Sequence, residues 1–238
     1  QAIAHGRRLR AEGADILDVG GESTRPGAAP VAVEEELNRV VTVVRTLAAE
    51  GIPISIDTRR APVMQAAVAA GARIVNDVTA LTGDPDSLGV VAASGASVIL
   101  MHMQGEPLTM QRAPAYGHAP SDIYRYLGDR VQACRRAGVE LGRLAVDPGI
   151  GFGKTLGHNL AILDGVALLH GLGVTLAIGV SRKGFIGDLA AVREPKGRQA
   201  GSLAAGLAAL NQGTHILRVH DMAASRQARQ IWLALGSV

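Results

Sequence analysis

Cysteine is nearly absent: the only one, Cys134, has no second thiol in the chain to pair with. An internal disulfide framework, a zinc–thiolate cluster and a CxxC redox pair are thereby excluded. With no secretory leader opening the sequence, a reducing cytoplasm is the expected compartment. Long apolar runs are missing too, since the longest, such as 89–93 and 203–210, fall far short of the roughly 20 residues that span a bilayer. No membrane association is expected. Aromatic residues make up 3% of the chain, and Lys occurs only at Lys154, Lys183 and Lys196. With arginines scattered and a net charge of +3, the chain lacks the basic, aromatic-interleaved face of nucleic-acid binders, and nucleic acid is not an expected partner. A few placed Arg and Lys around a small anionic substrate fit the balance better.

Several mechanistic signatures are also lacking. No G-x-G-x-x-G occurs, which weighs against a doubly wound dinucleotide fold. The segment from Asp147 to Thr155 has the look of a phosphate loop but carries Pro148 where that spacing requires Gly. It is instead expected to be a rigid loop allowing close backbone approach to a flat ligand, with Phe152 available to cover one face. No two histidines stand four apart as in a helical zinc site, and a triad drawn from Ser181, His220 and Asp147 lacks the G-x-S-x-G elbow. His5, His118, His158, His170 and His215 are expected to be solvated or capping.

What is present is alternation. Short aliphatic runs at 15–19, 54–56, 74–76, 97–101, 144–146, 176–180 and 216–219 predict seven strands. Helices are predicted at 1–12, 33–48, 60–70, 86–93, 121–137, 159–170, 201–211 and 223–235, the second with a 3.6-period stripe through Val33, Leu37, Val40, Val41, Val44 and Leu47. Eight helices against seven strands, with no linker-like tract, predict a single α/β domain over 1–238, a (β/α)8 TIM barrel whose first strand is absent from the given sequence. Barrel enzymes build their sites at the C-terminal ends of strands. Here those ends carry the 20–25 loop, Asp57, Asn76 with Asp77, His102, Asp147, Ser181 to Lys183, and Arg218 with His220 and Asp221. One such residue would be a loop cap; seven ends converging on one mouth predict a site.

Together, Asp18-Val19-Gly20-Gly21-Glu22-Ser23-Thr24-Arg25-Pro26-Gly27, Ser55-Ile56-Asp57-Thr58, Ile74-Val75-Asn76-Asp77-Val78, Leu100-Met101-His102-Met103-Gln104-Gly105, Asp147 to Lys154, Ser181-Arg182-Lys183 and Arg218-Val219-His220-Asp221 make the chain resemble the dihydropteroate synthase family from end to end. The resemblance implies condensation of 6-hydroxymethyl-7,8-dihydropterin pyrophosphate with p-aminobenzoate, with Mg2+, in a homodimer. It implies a pterin pocket of Asp57, Asn76, Asp147 and Lys183 walled by Met101 and Phe152, with Arg218 stacked on the ring. Thr24, Arg25, Arg218 and His220 take the pyrophosphate, and Lys183, Arg218 and Asp57 are the expected catalytic set. The family's first strand, its Asn ligand for Mg2+ and its substrate lid have no counterpart before Gln1, and Gly184 stands where many members carry Ser or a larger residue. The alternatives are a pterin-binding methyltransferase domain, which has no pyrophosphate to bind, and a catalytically inactive truncated barrel.

Overall fold

Seven short parallel strands stand side by side in chain order, each joined to the next by helical segments on the outside. The structure is a computed structural model and describes residues 1–236; the last two positions of the expected 1–238 domain lie outside the described residues. Helix α1 (Ala2–Ala11) leads to β1 (Leu17–Gly20), α2 (Val33–Ala49), β2 (Ile54–Asp57), α3 (Ala61–Ala69), β3 (Ile74–Asp77), α4 (Ser87–Ser94) and β4 (Ser97–Met101). Then follow α5 (Ala119–Arg136), β5 (Leu144–Asp147), α6 (Leu156–Asp164), β6 (Thr175–Ile178), α7 (Gly184–Ala190), α8 (Gln199–Asn211), β7 (Ile216–Leu217) and α9 (Met222–Leu235).

Local chemistry accounts for the long elements. In α2 the stripe at Val40, Val44 and Leu47 is buried against the sheet, while Glu34, Glu35 and Glu36 in the first turn oppose the positive end of the helix dipole. Helix α5 starts with Pro120 in its first turn and buries Ile123, Leu127, Val131 and Cys134 at helical spacing. Thr155 caps α6 in a reciprocal box with His158, one of the histidines expected to cap. Strand interiors such as Ile54, Ile56, Val98, Leu100, Leu176 and Ile178 are wholly buried, as parallel strands covered on both faces must be.

Several expectations are corrected, among them the strands expected over 15–19 and 176–180, which run over Leu17–Gly20 and Thr175–Ile178. Strands β2, β3 and β5 each run one residue further than predicted, so Asp57, Asp77 and Asp147 are their last residues. The last strand, expected over 216–219, keeps only Ile216 and Leu217, the two residues that pair with Ala177 and Ile178 of β6. The helix expected over 159–170 is two pieces, because Gly165 ends α6 and a 3-10 segment, Val166–Leu172, follows. A ninth helix, α7, was not expected at all.

The sheet is curled rather than flat. Register shifts little from strand to strand (Leu17 opposite Ile54, Ile74 opposite Ser97, Leu100 opposite Val146), and the right-handed twist accumulates through all seven. As a result Arg218, just beyond β7 at one edge, reaches Asp18 on β1 at the other.

Candidate active site

The C-terminal ends of the strands surround one cleft that opens to solvent, lined by Thr24, Asp57, Asn76, Met101, Asp147, Phe152, Lys183, Arg218 and His220 together with Val78, Gly149, Ile150, Gly179 and Ser181. Nine of the ten residues that the family resemblance assigns to the site thus line one cleft. Arg25 is the exception: it is exposed and does not line the cleft, although its charge acts against protonation of Lys183 and His220. Asp77 and His102 also turn elsewhere. Asp77 is buried and spends its carboxylate on Thr79 N–H, Thr79 Oγ1 and Leu81 N–H, and His102 packs its ring edge-on to Tyr126.

Two carboxylates and a guanidinium are joined at the floor of the cleft, where Asp57 and Arg218 line it and Asp18 holds Arg218 without lining it. Arg218 Nε donates to Asp18 Oδ2 at 2.6 Å and its Nη2 donates to Asp57 Oδ2 at 3.1 Å, while Asn76 Nδ2 donates to Asp18 Oδ2 at 3.2 Å. The second oxygens of Asp18 and Asp57 are buried without a partner. Burial and the neighbouring Asp18 charge push the Asp57 carboxyl up to about 7, against the opposing pull of Arg218. Arg218 itself is held firmly protonated, chiefly by Asp18.

On the opposite wall, Asp147 accepts from Gly149 N–H at 2.7 Å, and burial raises its carboxyl above the usual range. Lys183 Nζ stands 4.1 Å from the centre of the Phe152 ring, and burial lowers its ammonium to about 8 while Asp147 works against that shift. His220 Nδ1 lies 3.1 Å from Ser181 Oγ, and burial, then Arg218, lower its pKa. Acceptors, a donor and an aromatic wall therefore face one another across a flat opening, with fixed positive charge at its rim.

The 147–154 loop is set by close approach. Gly149 has φ +69, and a Cβ there would lie 2.0 Å from the His102 carbonyl oxygen, so only glycine lets this loop lie against the end of β4. Buried Lys154 fastens it from behind, with Nζ 3.0 Å from His102 Nδ1 and donating to the carbonyls of Phe152 (2.9 Å) and His102 (3.2 Å). Burial lowers the Lys154 ammonium to about 7.

Several contributors were missed in the sequence. Asp18 stood inside a strand run, and its partner lies 200 residues away. Glu22 holds the 21–31 loop by accepting from Val31 N–H (2.8 Å), Arg59 Nε (3.0 Å) and Arg60 Nη2 (3.1 Å). Arg59 continues to Glu106 at 2.7 Å, joining the loops after β1 and β4. Glu36, an acid within the buried face of α2, accepts from Thr58 Oγ1 at 2.6 Å; the signal was a charge in an apolar stripe.

Among the described residues, no group of three or more His, Cys, Asp and Glu is placed to hold a metal ion. Of the two carboxylates that line the cleft, Asp57 is engaged by Arg218 and Asp147 accepts from Gly149 N–H, so the residues present do not fit a resident Mg2+. No helix among the described residues is long and apolar enough to cross a membrane.

Residues 1–220 match the family described as pterin binding enzyme. The chain is 44% identical over 231 residues to the dihydropteroate synthase of Escherichia coli K12, covering 97% of this chain and 81% of that protein. It superposes on the Xanthomonas albilineans dihydropteroate synthase with 4-aminobenzoic acid at a TM-score of 0.94 and 47% identity, over 99% of this chain and 84% of the other. The same organism's enzyme in complex with 7,8-dihydropteroate gives a TM-score of 0.91 and 44% identity over the same shares.

Proposed function

The chain belongs to the pterin-binding enzymes and, within them, to the dihydropteroate synthases; from that premise we propose how its own residues divide the reaction. It is a transferase of folate biosynthesis that joins 6-hydroxymethyl-7,8-dihydropterin pyrophosphate to p-aminobenzoate and releases pyrophosphate.

The pterin lies flat between Phe152 and Arg218, with Met101 below it. Its 2-amino, N3 and N8 donors meet Asp147 and Asp57, its O4 and N5 acceptors meet Lys183, and Asn76 serves either sense. The unpartnered, buried oxygen of Asp57 supports this reading, since a buried acceptor calls for a donor. Thr24, Arg25, Arg218 and His220 take the pyrophosphate, whose charge grows as the carbon–oxygen bond breaks and the electron pair leaves with it. The electron-rich dihydropterin stabilises the exocyclic methylene cation, the neutral amine attacks that carbon, and the amine nitrogen gives up its proton to the departing pyrophosphate. Lys183, Arg218 and Asp57 carry the catalytic burden: Asp57 and Lys183 hold the ring on which the cation develops, and Arg218 touches both the ring and the leaving group.

Mg2+ would enter this reading with the pyrophosphate substrate, whose charge it would help to neutralise, and no step is routed through it. The same reading includes a single domain, a homodimer in the cytoplasm, and a closed eight-stranded barrel with a further strand between β7 and β1. The last is supported by β1 and β7 standing as sheet edges among the described residues, and the dimer by exposed Ile231 and Leu235 on α9.

The observation that carries the assignment of roles is the Arg218 fork, which faces the cleft between the pterin acceptors and the anion residues. Calorimetric titration with a pterin and with pyrophosphate tests it. Binding of the anion beside the pterin, abolished by Arg218→Ala, is expected; pterin binding with no anion binding would match a methyltransferase domain and refute the assignment.

A further inference from the structure

Behind Lys183, on the side away from the cleft, lies Arg198, a half-buried guanidinium whose hydrogen bonds all go to the main chain. Its Nη1 donates to the carbonyls of Arg182 (3.1 Å) and Lys183 (3.3 Å), its Nε to Val192 (3.0 Å) and its Nη2 to Arg193 (2.7 Å). Arg182 and Lys183 precede α7, whereas Val192 and Arg193 follow it. One planar fork therefore binds both ends of the helix at once, which an ammonium, a single point of charge, cannot do.

Two further features point the same way. Arg182 has φ +59, a left-handed conformation costing a residue with a side chain on the order of 1 kcal/mol, so its backbone must be held by its surroundings. Its N–H donates to Ser202 Oγ at 2.8 Å, and Ser202 Oγ donates in turn to the Arg198 carbonyl at 2.6 Å. Helix α7 also lies against the guanidinium, since a Cβ on Gly187 would stand 2.6 Å from Nη2 and 2.7 Å from Nε. The next residue after this braced turn is Lys183, whose Nζ must end over Phe152. A lysine has four rotatable bonds, so the place of its Cα decides where the ammonium can go, and small misplacements of a reacting group are costly.

We propose that Arg198 is a positioning residue for Lys183, bracing the 182–183 backbone from behind so that the ammonium is delivered to the pterin edge. The inference rests on Lys183 being a pterin donor, as argued above. A double-mutant cycle tests both and separates them. Binding of 6-hydroxymethylpterin is measured by calorimetry for the wild type, Arg198→Ala, Lys183→Ala and the double variant, with melting temperatures for each. Arg198→Ala is expected to weaken binding by about tenfold in the wild type and by less than about twofold once Lys183 is gone, the non-additivity of residues that act as a unit. Gly187→Ala, which displaces the guanidinium without removing it, is expected to copy Arg198→Ala, and Arg198→Lys is not expected to restore affinity.

An equal loss in both backgrounds, or a lowered melting temperature with unchanged affinity, would overturn the inference and leave the reading of the site intact. A wild type that binds no pterin, or a Lys183→Ala variant that binds normally, would overturn the reading itself and the inference with it. Should Arg198→Ala prove insoluble, Arg198→Lys and Gly187→Ala complete the same cycle.

Discussion

Replacing Arg218 with Lys retains the charge and removes the fork. In the wild type, Nε and Nη2 of one planar group reach carboxylates on two different strands, at 2.6 Å for Asp18 and 3.1 Å for Asp57. A lysine ammonium can approach one of them closely, so the substitution loses one charge-assisted hydrogen bond, nominally about 1.5–3 kcal/mol. Arg218 is 48% exposed, so water screens the loss, and about 1 kcal/mol is the appropriate figure for folding stability. For a domain of this length that lowers the melting temperature by roughly 2–4 °C. The effect on turnover is far larger, because the plane that covers the pterin and the second donor to the leaving group vanish together. Two such interactions in the transition state amount to about 3 kcal/mol or more, on the order of a hundredfold in kcat/KM. Scanning calorimetry and a pyrophosphate-release assay measure the two quantities on one preparation. Near-normal kcat/KM in Arg218→Lys, or a collapse in melting temperature matching the loss of activity, would refute the reasoning.

Asp147→Asn is expected to weaken pterin binding by about 1.5–3 kcal/mol, seen by titrating a pterin analogue; unchanged affinity removes Asp147 from the site. Pterin affinity should peak between two limbs, falling as Asp57 takes up a proton below about 7 and as Lys183 loses one above about 8. Asp57→Asn should abolish the acid limb alone, and an affinity flat across roughly pH 6 to 9 would contradict the assignment. Gly149→Ala forces a Cβ to within 2.0 Å of a carbonyl oxygen that cannot rotate away. A loss of more than about 2 kcal/mol is expected in denaturant melts, and a normal midpoint would show that the loop can shift.

Strands such as β2, β3 and β5 were legible because each is a compact aliphatic run closed by a polar residue, a pattern that needs no knowledge of its neighbours. Helix α7 was not, since it is seven residues long with two glycines and buries Phe185, Ile186 and Gly187 in succession, leaving no stripe to find. The polar cleft residues were legible through topology, as parallel strands place every C-terminal end on one side, whereas Met101 was indicated only by the family resemblance. Asp18 was hidden for the opposite reason: it lies before the end of β1, facing inward, and only the curl of the sheet supplies the guanidinium that makes its charge tolerable. Arg198 and Glu22 act on backbone and on other loops, and no local spacing encodes such contacts.

The bond between Arg218 and Asp18 also has a meaning for how the chain reaches its native state. Its ends are 200 residues apart, and nothing but the completed succession of strands brings them together. Contacts of such separation form late, after the entropy of closing the intervening chain has been offset by nearer ones. The floor of the cleft is thus among the last parts to assemble, and a partly folded chain, however much of its core is in place, has no binding site. Any ligand that engages Arg218 consequently selects the finished fold and, by mass action, draws folding to completion.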